Sequence, residues 1–205
     1  MTMHFRAPTL ISLLMVGLVS TLQVSRAAVD LPATPANSEL RALRAQFERP
    51  AAIPQPENNP ITAQKVTLGQ MLFFDPRLSG SGMISCATCH NPALGWGDGQ
   101  PKGLGHMGAH LGRHTPTILN VAYGEPYFWD GRAESLEDQA KGPLTSAKEM
   151  NMSVEDAIPM LRSLPGYVDA FSRAYPGQPI SLDTVAAAAV PQAAAELLYV
   201  CTRRP

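Results

Sequence analysis

The chain has only three cysteines, few aromatic residues and no block of like charge. Three thiols exclude a zinc site built from four thiolates. The formal net charge is −1 at pH 7, and no cluster of Lys or Arg is present. Nothing in the charge pattern therefore indicates binding to nucleic acid or to an anionic membrane surface.

Long hydrophobic runs are scarce, and one at the amino terminus stands out. It spans Leu10–Leu22, follows Arg6 and precedes the small residues around Ala27. This order predicts a secretory signal over residues 1–27, cleaved after Ala27. A retained anchor is the alternative, but the run is shorter than the ~20 residues of a spanning helix. We expect export to the periplasm and no membrane contact after cleavage.

Two of the three cysteines lie in Ser85-Cys86-Ala87-Thr88-Cys89-His90. The C-x-x-C-H pattern is typical of covalent haem attachment: each thiol bonds one vinyl group, and the histidine ligates the iron. A thioredoxin-like redox pair is the alternative, but no strand pattern leads into the motif. Haem attachment in the periplasm agrees with the predicted signal. A buried haem would also add a large apolar body to a chain with 6% aromatic residues.

The 16 glycines and 19 prolines favour short helices joined by long ordered loops. We therefore predict an all-α, cytochrome c-like haem domain over residues 61–185, preceded by a Pro-rich lead-in at 28–60. The lead-in contains a short amphipathic piece, Glu39–Arg49. Periodicity and capping signals predict further helices: Ile61–Phe74, Pro116–Tyr123, Glu134–Lys141, Ser153–Leu164, Pro165–Tyr175 and an alanine-rich one that begins at Ser181.

Three histidines, His106, His110 and His114, follow the haem motif at spacings of four. On a helix they would share one face, but each intervening glycine weakens a helix by about 1 kcal/mol relative to alanine. We reject a helical metal triad. A loop histidine is well suited to bind the free axial position of a haem, or to leave it.

Several separated motifs resemble the bacterial di-haem cytochrome c peroxidases and their methylamine-utilisation relatives. The resemblance runs in order from about residue 60 to residue 185. It rests on these stretches: Leu68–Ser79, Cys86–His90, Pro116-Thr117, Phe128–Arg132 and Gln139–Pro143.

The resemblance implies an amino-terminal domain that carries the peroxidatic haem. It makes His90 the proximal ligand and His106 the loop histidine that occupies the distal site in the resting form. Phe128 and Trp129 would be the aromatic pair near the haem edge, with Trp129 between the two haems of the family.

The resemblance also makes Gln139 and Glu149 the distal residues that handle peroxide. Cleavage of hydrogen peroxide needs a base that moves a proton between its oxygens and a group that orients the substrate. Glu149 could be that base if an apolar pocket raises its pKa, and Gln139 could orient the peroxide.

Two departures from the family pattern matter. His114 stands where the family often has an asparagine near a calcium site, and imidazole suits calcium poorly, so calcium is in doubt. After Val185 the family pattern ends in a divergent tail, residues 186–205, with a single unpartnered Cys201 and no second C-x-x-C-H. We hypothesise that the chain is truncated or frameshifted near Ala189.

The leading interpretation is a periplasmic haem peroxidase that reduces hydrogen peroxide with electrons from a small c-type cytochrome. It would carry one covalent haem c on Cys86 and Cys89. The alternatives are a monohaem electron carrier, with His106, Met107 or Met150 as the sixth ligand, and an inactive fragment.

Overall fold

A computed structural model describes residues 37–48 and 52–191, which fall in two compact units, 1–49 and 50–205. The first unit contains helix α1, Asn37–Ala45, which has no buried residue. It overlaps the predicted amphipathic piece, Glu39–Arg49, over residues 39–45. The predicted signal peptide, most of the divergent tail and Cys201 lie outside the described residues.

The second unit is built from helices α2 to α6 and a further helix over residues 182–191. Their bounds are Ala63–Phe73 for α2, Cys86–Cys89 for α3, Leu136–Thr145 for α4, Val154–Ser163 for α5 and Pro165–Ala174 for α6. Within the described ranges, β-structure is limited to three isolated bridges. The predicted all-α class is confirmed, and a long ordered loop separates α3 from α4.

The core lies between α2, α5, α6 and the helix at 182–191, with Leu68 and Leu161 completely buried. Local signals start these helices where the sequence predicts them. Thr62 accepts a hydrogen bond from the Lys65 N–H at 3.2 Å, and Ser153 accepts one from the Asp156 N–H at 3.0 Å. Such caps satisfy backbone donors that have no partner in the first turn.

A buried hydrogen bond joins the end of α2 to α6. The Tyr167 hydroxyl donates to Asp75 Oδ2 at 2.7 Å, and Arg77 donates to the same oxygen at 2.6 Å. Burial alone would raise the pKa of Asp75, but the bonds from Arg77 and Tyr167 outweigh it and lower the pKa. This anchor fixes the chain just before Gly80, which contacts the candidate site.

A buried polar cluster fixes α4 against α2 and the last helix. Asn59 Nδ2 donates to Glu137 Oε1 and to the Ala187 carbonyl, both at 2.9 Å. Lys65 Nζ donates to Asn59 Oδ1 at 2.8 Å. Burial lowers the pKa of Lys65, and the nearby Glu137 charge opposes that shift. The cluster thereby holds the helix that carries Gln139.

The predicted helix Pro116–Tyr123 is wrong. Only Val121–Tyr123 forms a single 3-10 turn, and Asn120 before it is left-handed at φ 61°. Thr117 explains the difference, because its hydroxyl donates to the Gly95 carbonyl at 2.6 Å and accepts from the Leu119 N–H at 3.1 Å. These local side-chain bonds compete with helix formation.

The predicted helix Glu134–Lys141 is wrong at both ends. Ser135 caps α4, which begins at Leu136 and continues through Gly142 and Pro143 to Thr145. The Ser146 N–H donates to the Gly142 carbonyl at 2.9 Å, so the helical pattern persists past the proline. The buried Leu144 supplies core packing that offsets the donor lost at Pro143.

The described residues contain no helix that is both long enough and apolar enough to cross a membrane.

Candidate haem site

The attachment motif folds as one helical turn, α3. The Ser85 N–H donates to Thr88 Oγ1 at 2.9 Å, and the His90 N–H donates to the Cys86 carbonyl at 2.8 Å. The turn brings Cys86 and Cys89 to neighbouring positions, with His90 directly after them. Both cysteines are free thiols.

The surroundings of these thiols keep them protonated. Burial raises the pKa of Cys86 to about 11. Burial also raises the pKa of Cys89, and the charges of Asp98 and Glu149 add to that shift. Catalytic and metal-binding thiols need a lowered pKa, and no cluster of potential metal ligands exists within the described ranges. The environment therefore disfavours a redox pair or a zinc site at these thiols.

His90 is prepared as a neutral ligand. Its Nδ1 lies 3.2 Å from the Trp96 carbonyl, which places the proton on Nδ1 and leaves the lone pair on Nε2. Burial lowers the pKa of His90, although hydrogen bonds to the Trp96 and Pro116 carbonyls and the charges of Asp98 and Glu149 oppose it. Metal-ligating histidines commonly show this Nδ1–H bond to a backbone carbonyl.

Trp96 holds its carbonyl in place through a strained turn. It is 7% exposed, adopts φ 62°, and its N–H donates to the Asn91 carbonyl at 2.8 Å. Its ring packs edge-on against Phe73 of α2, with 5.8 Å between centroids. The core helix α2 thus fixes the group that orients His90.

His106 and His110 lie on a hairpin and His114 follows it, so the three do not share one helix face, which confirms the rejection of a helical triad. The Gly103 N–H donates to the Arg113 carbonyl at 3.0 Å, and the Gly105 N–H donates to the Ala109 carbonyl at 2.9 Å. His106 begins the tip, His110 faces Leu104, and His114 lies beyond the base. The Leu104 carbonyl accepts from Cys89 Sγ at 3.3 Å, so the hairpin contacts the attachment motif directly.

The hairpin tip docks onto the segment that carries Glu149. The His106 N–H donates to the Lys148 carbonyl at 3.0 Å, and His106 Nε2 lies 3.2 Å from Asn151 Nδ2. The amide donates, so Nε2 accepts and the proton lies on Nδ1, which is buried without a partner in the described part of the chain. The ring must leave Asn151 before Nε2 can ligate a metal.

Two glycines enclose the Lys148–Asn151 segment by close backbone approach. A Cβ on Gly105 would lie 1.9 Å from the Lys148 carbonyl oxygen, and a Cβ on Gly80 would lie 2.2 Å from the Asn151 carbonyl oxygen. The Gly80 N–H also donates to the Met150 carbonyl at 2.9 Å. No other residue type fits these positions without a shift.

Cys89, His90, His106 and Glu149 therefore come together. Glu149 is half-buried, and its charge reaches both Cys89 and His90. Met150, the alternative axial ligand, packs in the hydrophobic core at 5% exposure. Met107, the other methionine, is 76% exposed at the hairpin tip.

The remaining predicted residues lie around α4. Phe128, at φ 64°, packs so that its Cζ would lie 2.8 Å from a Cβ on Gly142. Trp129 is exposed, and its Nε1 donates to the His114 carbonyl at 3.2 Å. Gln139 is half-buried on α4. Within residues 52–191, no hydrogen bond joins its side chain to Glu149 or His106.

The residues fit a covalently held haem. Paired thiols, a neutral histidine with an oriented ring and the His106 Nε2, once it leaves Asn151, supply the donor set. Large apolar side chains near the motif in sequence are exposed, as expected for a surface that an apolar group covers; they are Met83, Leu94, Leu104 and Met107.

A one-turn C-x-x-C-H helix in an all-α unit with long ordered loops defines a c-type haem domain. The model of the family described as di-haem cytochrome c peroxidase matches residues 63–194. The chain belongs to that family, as the sequence motifs predict. Haem c is the cofactor that membership implies for the attachment motif.

Two curated relatives show the extent of the similarity. Methylamine utilization protein MauG of Methylorubrum extorquens is 48% identical over 162 residues, covering 78% of this chain and 46% of the relative. Cytochrome c551 peroxidase of Pseudomonas aeruginosa is 43% identical over 141 residues, covering 68% of this chain and 41% of the relative. The chain spans about half the length of the curated relatives it matches.

A solved structure agrees in fold. A MauG-like protein associated with microbial copper homeostasis superposes with a TM-score of 0.66 at 29% identity, covering 78% of this chain and 51% of that protein.

Sequence reasoning missed Asp98, Asn151 and the carbonyl of Lys148. Asn151 has φ 51°, a conformation that favours Asn over most residues, but nothing local indicates its partner. Asp98 follows Gly97 in a glycine-rich stretch that looks like an ordinary turn. Its position depends on a bridge that only the folded chain shows.

Proposed function

We propose that this chain is a periplasmic haem peroxidase domain that reduces hydrogen peroxide to water with electrons from a small c-type cytochrome. The observation that carries the proposal is the convergence of His90, His106 and Glu149 at one attachment motif. The names of the related cytochrome c peroxidases support the substrate. Cys86 and Cys89 would hold one haem c, and His90 would ligate its iron.

The proposed reaction consumes two electrons and two protons for each peroxide and releases two waters. Bound haem supplies the iron position at which the O–O bond breaks. Glu149 accepts the proton from the inner oxygen and returns it to the outer one, and Gln139 orients the substrate. In the resting form His106 would hold the iron through Nε2 after its ring leaves Asn151, and its release would admit peroxide. Trp129 is an exposed aromatic through which an external donor could pass electrons.

Calcium is not part of the proposal. His114 stands where the family often has an asparagine near a calcium site, and its Nδ1 lies 3.0 Å from the Gln100 carbonyl. That contact engages the ring with the backbone.

The test is peroxide-dependent oxidation of a reduced small cytochrome c by the holoprotein, after a cycle of reduction and reoxidation. Glu149→Gln should lower the rate by about 10²–10⁴-fold, the usual effect of losing a general base. Glu155→Gln on the exposed face of α5 is the matched control and should leave the rate unchanged. Equal rates in the two variants would remove Glu149 from the mechanism.

The electron-carrier alternative gives a different result. In that case the wild-type protein stays six-coordinate in its absorption spectrum, and peroxide produces no turnover. His106→Gly separates the two ligand assignments, because it should open the site if His106 covers it and should have little effect if a methionine is the ligand.

A further inference from the structure

An isolated antiparallel bridge places Asp98 opposite His90. The Asn91 N–H donates to the Gly97 carbonyl at 3.0 Å, and these two residues form the bridge pair. In an antiparallel pair, the residue before one partner faces the residue after the other. His90 and Asp98 are those residues. The loop closed by this bridge also supplies the Trp96 carbonyl that orients His90.

The Asp98 carboxylate is fixed by neutral donors. Its Oδ2 accepts from the Thr115 hydroxyl at 3.0 Å, and Thr115 is 7% exposed. Its Oδ1 accepts from the Gln100 N–H at 3.1 Å. A Cβ on Gly103 would lie 3.3 Å from Oδ2, so the hairpin base packs against the carboxylate.

No cation in the described part of the chain neutralises this carboxylate. Among residues 37–48 and 52–191, no Lys, Arg or His nitrogen lies within 4.0 Å of Asp98, although four other acidic residues have such partners. A half-buried, fixed charge is screened less than an exposed one.

We propose that the fixed negative charge of Asp98 favours the ferric over the ferrous state of haem held at Cys86, Cys89 and His90. Ferric iron carries one more positive charge than ferrous iron, so a nearby carboxylate stabilises the oxidised form. The functional meaning of this inference rests on the proposed peroxidase function, because a haem that passes electrons to peroxide must release them readily. Its measurement does not depend on turnover.

The test is an equilibrium potentiometric titration of the full-length holoprotein without peroxide. Asp98→Asn keeps the shape and removes the charge, and we expect the equilibrium constant for reduction to rise about tenfold, equivalent to about 59 mV for one electron. Asp98→Glu keeps the charge and should remain much closer to wild type. Asp169→Asn removes an exposed carboxylate of α6 and should leave the potential unchanged.

A shift in Asp98→Asn no larger than that in Asp169→Asn would overturn the proposal. A pyridine haemochrome assay gives the haem per chain in each variant. Failure of Asp98→Asn to load haem would assign Asp98 a structural role and would also overturn the proposal. Absence of peroxidase activity in the wild type would refute the proposed function and leave the potentiometric result standing.

Discussion

Replacing Gly105 with alanine tests the docking of the His106 hairpin. Gly105 has a negative φ of −112°, so it is not held in the left-handed region that favours glycine, and the effect is that of the added side chain. The added methyl would lie 1.9 Å from the Lys148 oxygen, 2.9 Å from its carbon and 3.0 Å from the Glu149 Cα. All three atoms belong to backbone, so the hairpin and the segment must separate.

The magnitude follows from two terms. Overpacking of a filled position costs about 1–3 kcal/mol, and loss of the bond from the His106 N–H to the Lys148 carbonyl adds about 1 kcal/mol. At about 2–4 °C per kcal/mol for a domain of 150–250 residues, the melting temperature should fall by roughly 4–16 °C. Separation also frees the His106 ring from Asn151.

Thermal and urea unfolding of the holoprotein, followed by circular dichroism, measures this cost. Gly112→Ala is the matched control, because it lies on the same hairpin with no atom within 4 Å of the added methyl; its stability should change by less than about 0.5 kcal/mol. Equal stability of Gly105→Ala and Gly112→Ala would refute the docked hairpin.

Two further predictions concern the scaffold. Tyr167→Phe removes a donor from the buried Asp75 and should lower the free energy of unfolding by about 1–3 kcal/mol. Because folding lowers the pKa of Asp75 from 3.8, the ionised carboxylate stabilises the fold above that pH, and this stabilisation is lost as the pH falls through the folded pKa. Urea titrations should therefore show a weaker loss of stability below about pH 4 in the variant than in the wild type. Identical pH profiles would contradict this. Ser135→Ala removes the side chain that caps α4 at the Asp138 N–H and should lower the free energy of unfolding by about 1 kcal/mol. The exposed Ser163→Ala is the control and should change it very little. Equal unfolding midpoints in the two variants would count against the cap.

The elements that the sequence predicts well carry their own signals. These signals act over a few residues, and the observed elements begin or end where they predict. They are the cap at Ser153, the prolines at 76 and 165 and the C-x-x-C-H spacing. The same holds for the all-α class, because long glycine-rich connections separate the helical patterns. The family assignment also depends on local motifs and is confirmed.

The failures depend on contacts between distant parts of the chain. Gly142-Pro143 would end an isolated helix, but packing of Phe128 against Gly142 and burial of Leu144 keep α4 intact. The partners of His106 and the position of Asp98 likewise arise only when loops meet. The roles of Gln139, Glu149 and Trp129 remain predictions.

The central claim is that Cys86 and Cys89 fix one haem whose iron His90 ligates. Intact-mass spectrometry of the full chain, expressed in a host that matures c-type cytochromes, tests it directly. We expect the mass of the chain as processed by the host plus one haem, and we expect Cys86→Ser with Cys89→Ser to abolish that addition. A colourless wild-type protein of unmodified mass, with both thiols open to alkylation, would contradict the claim.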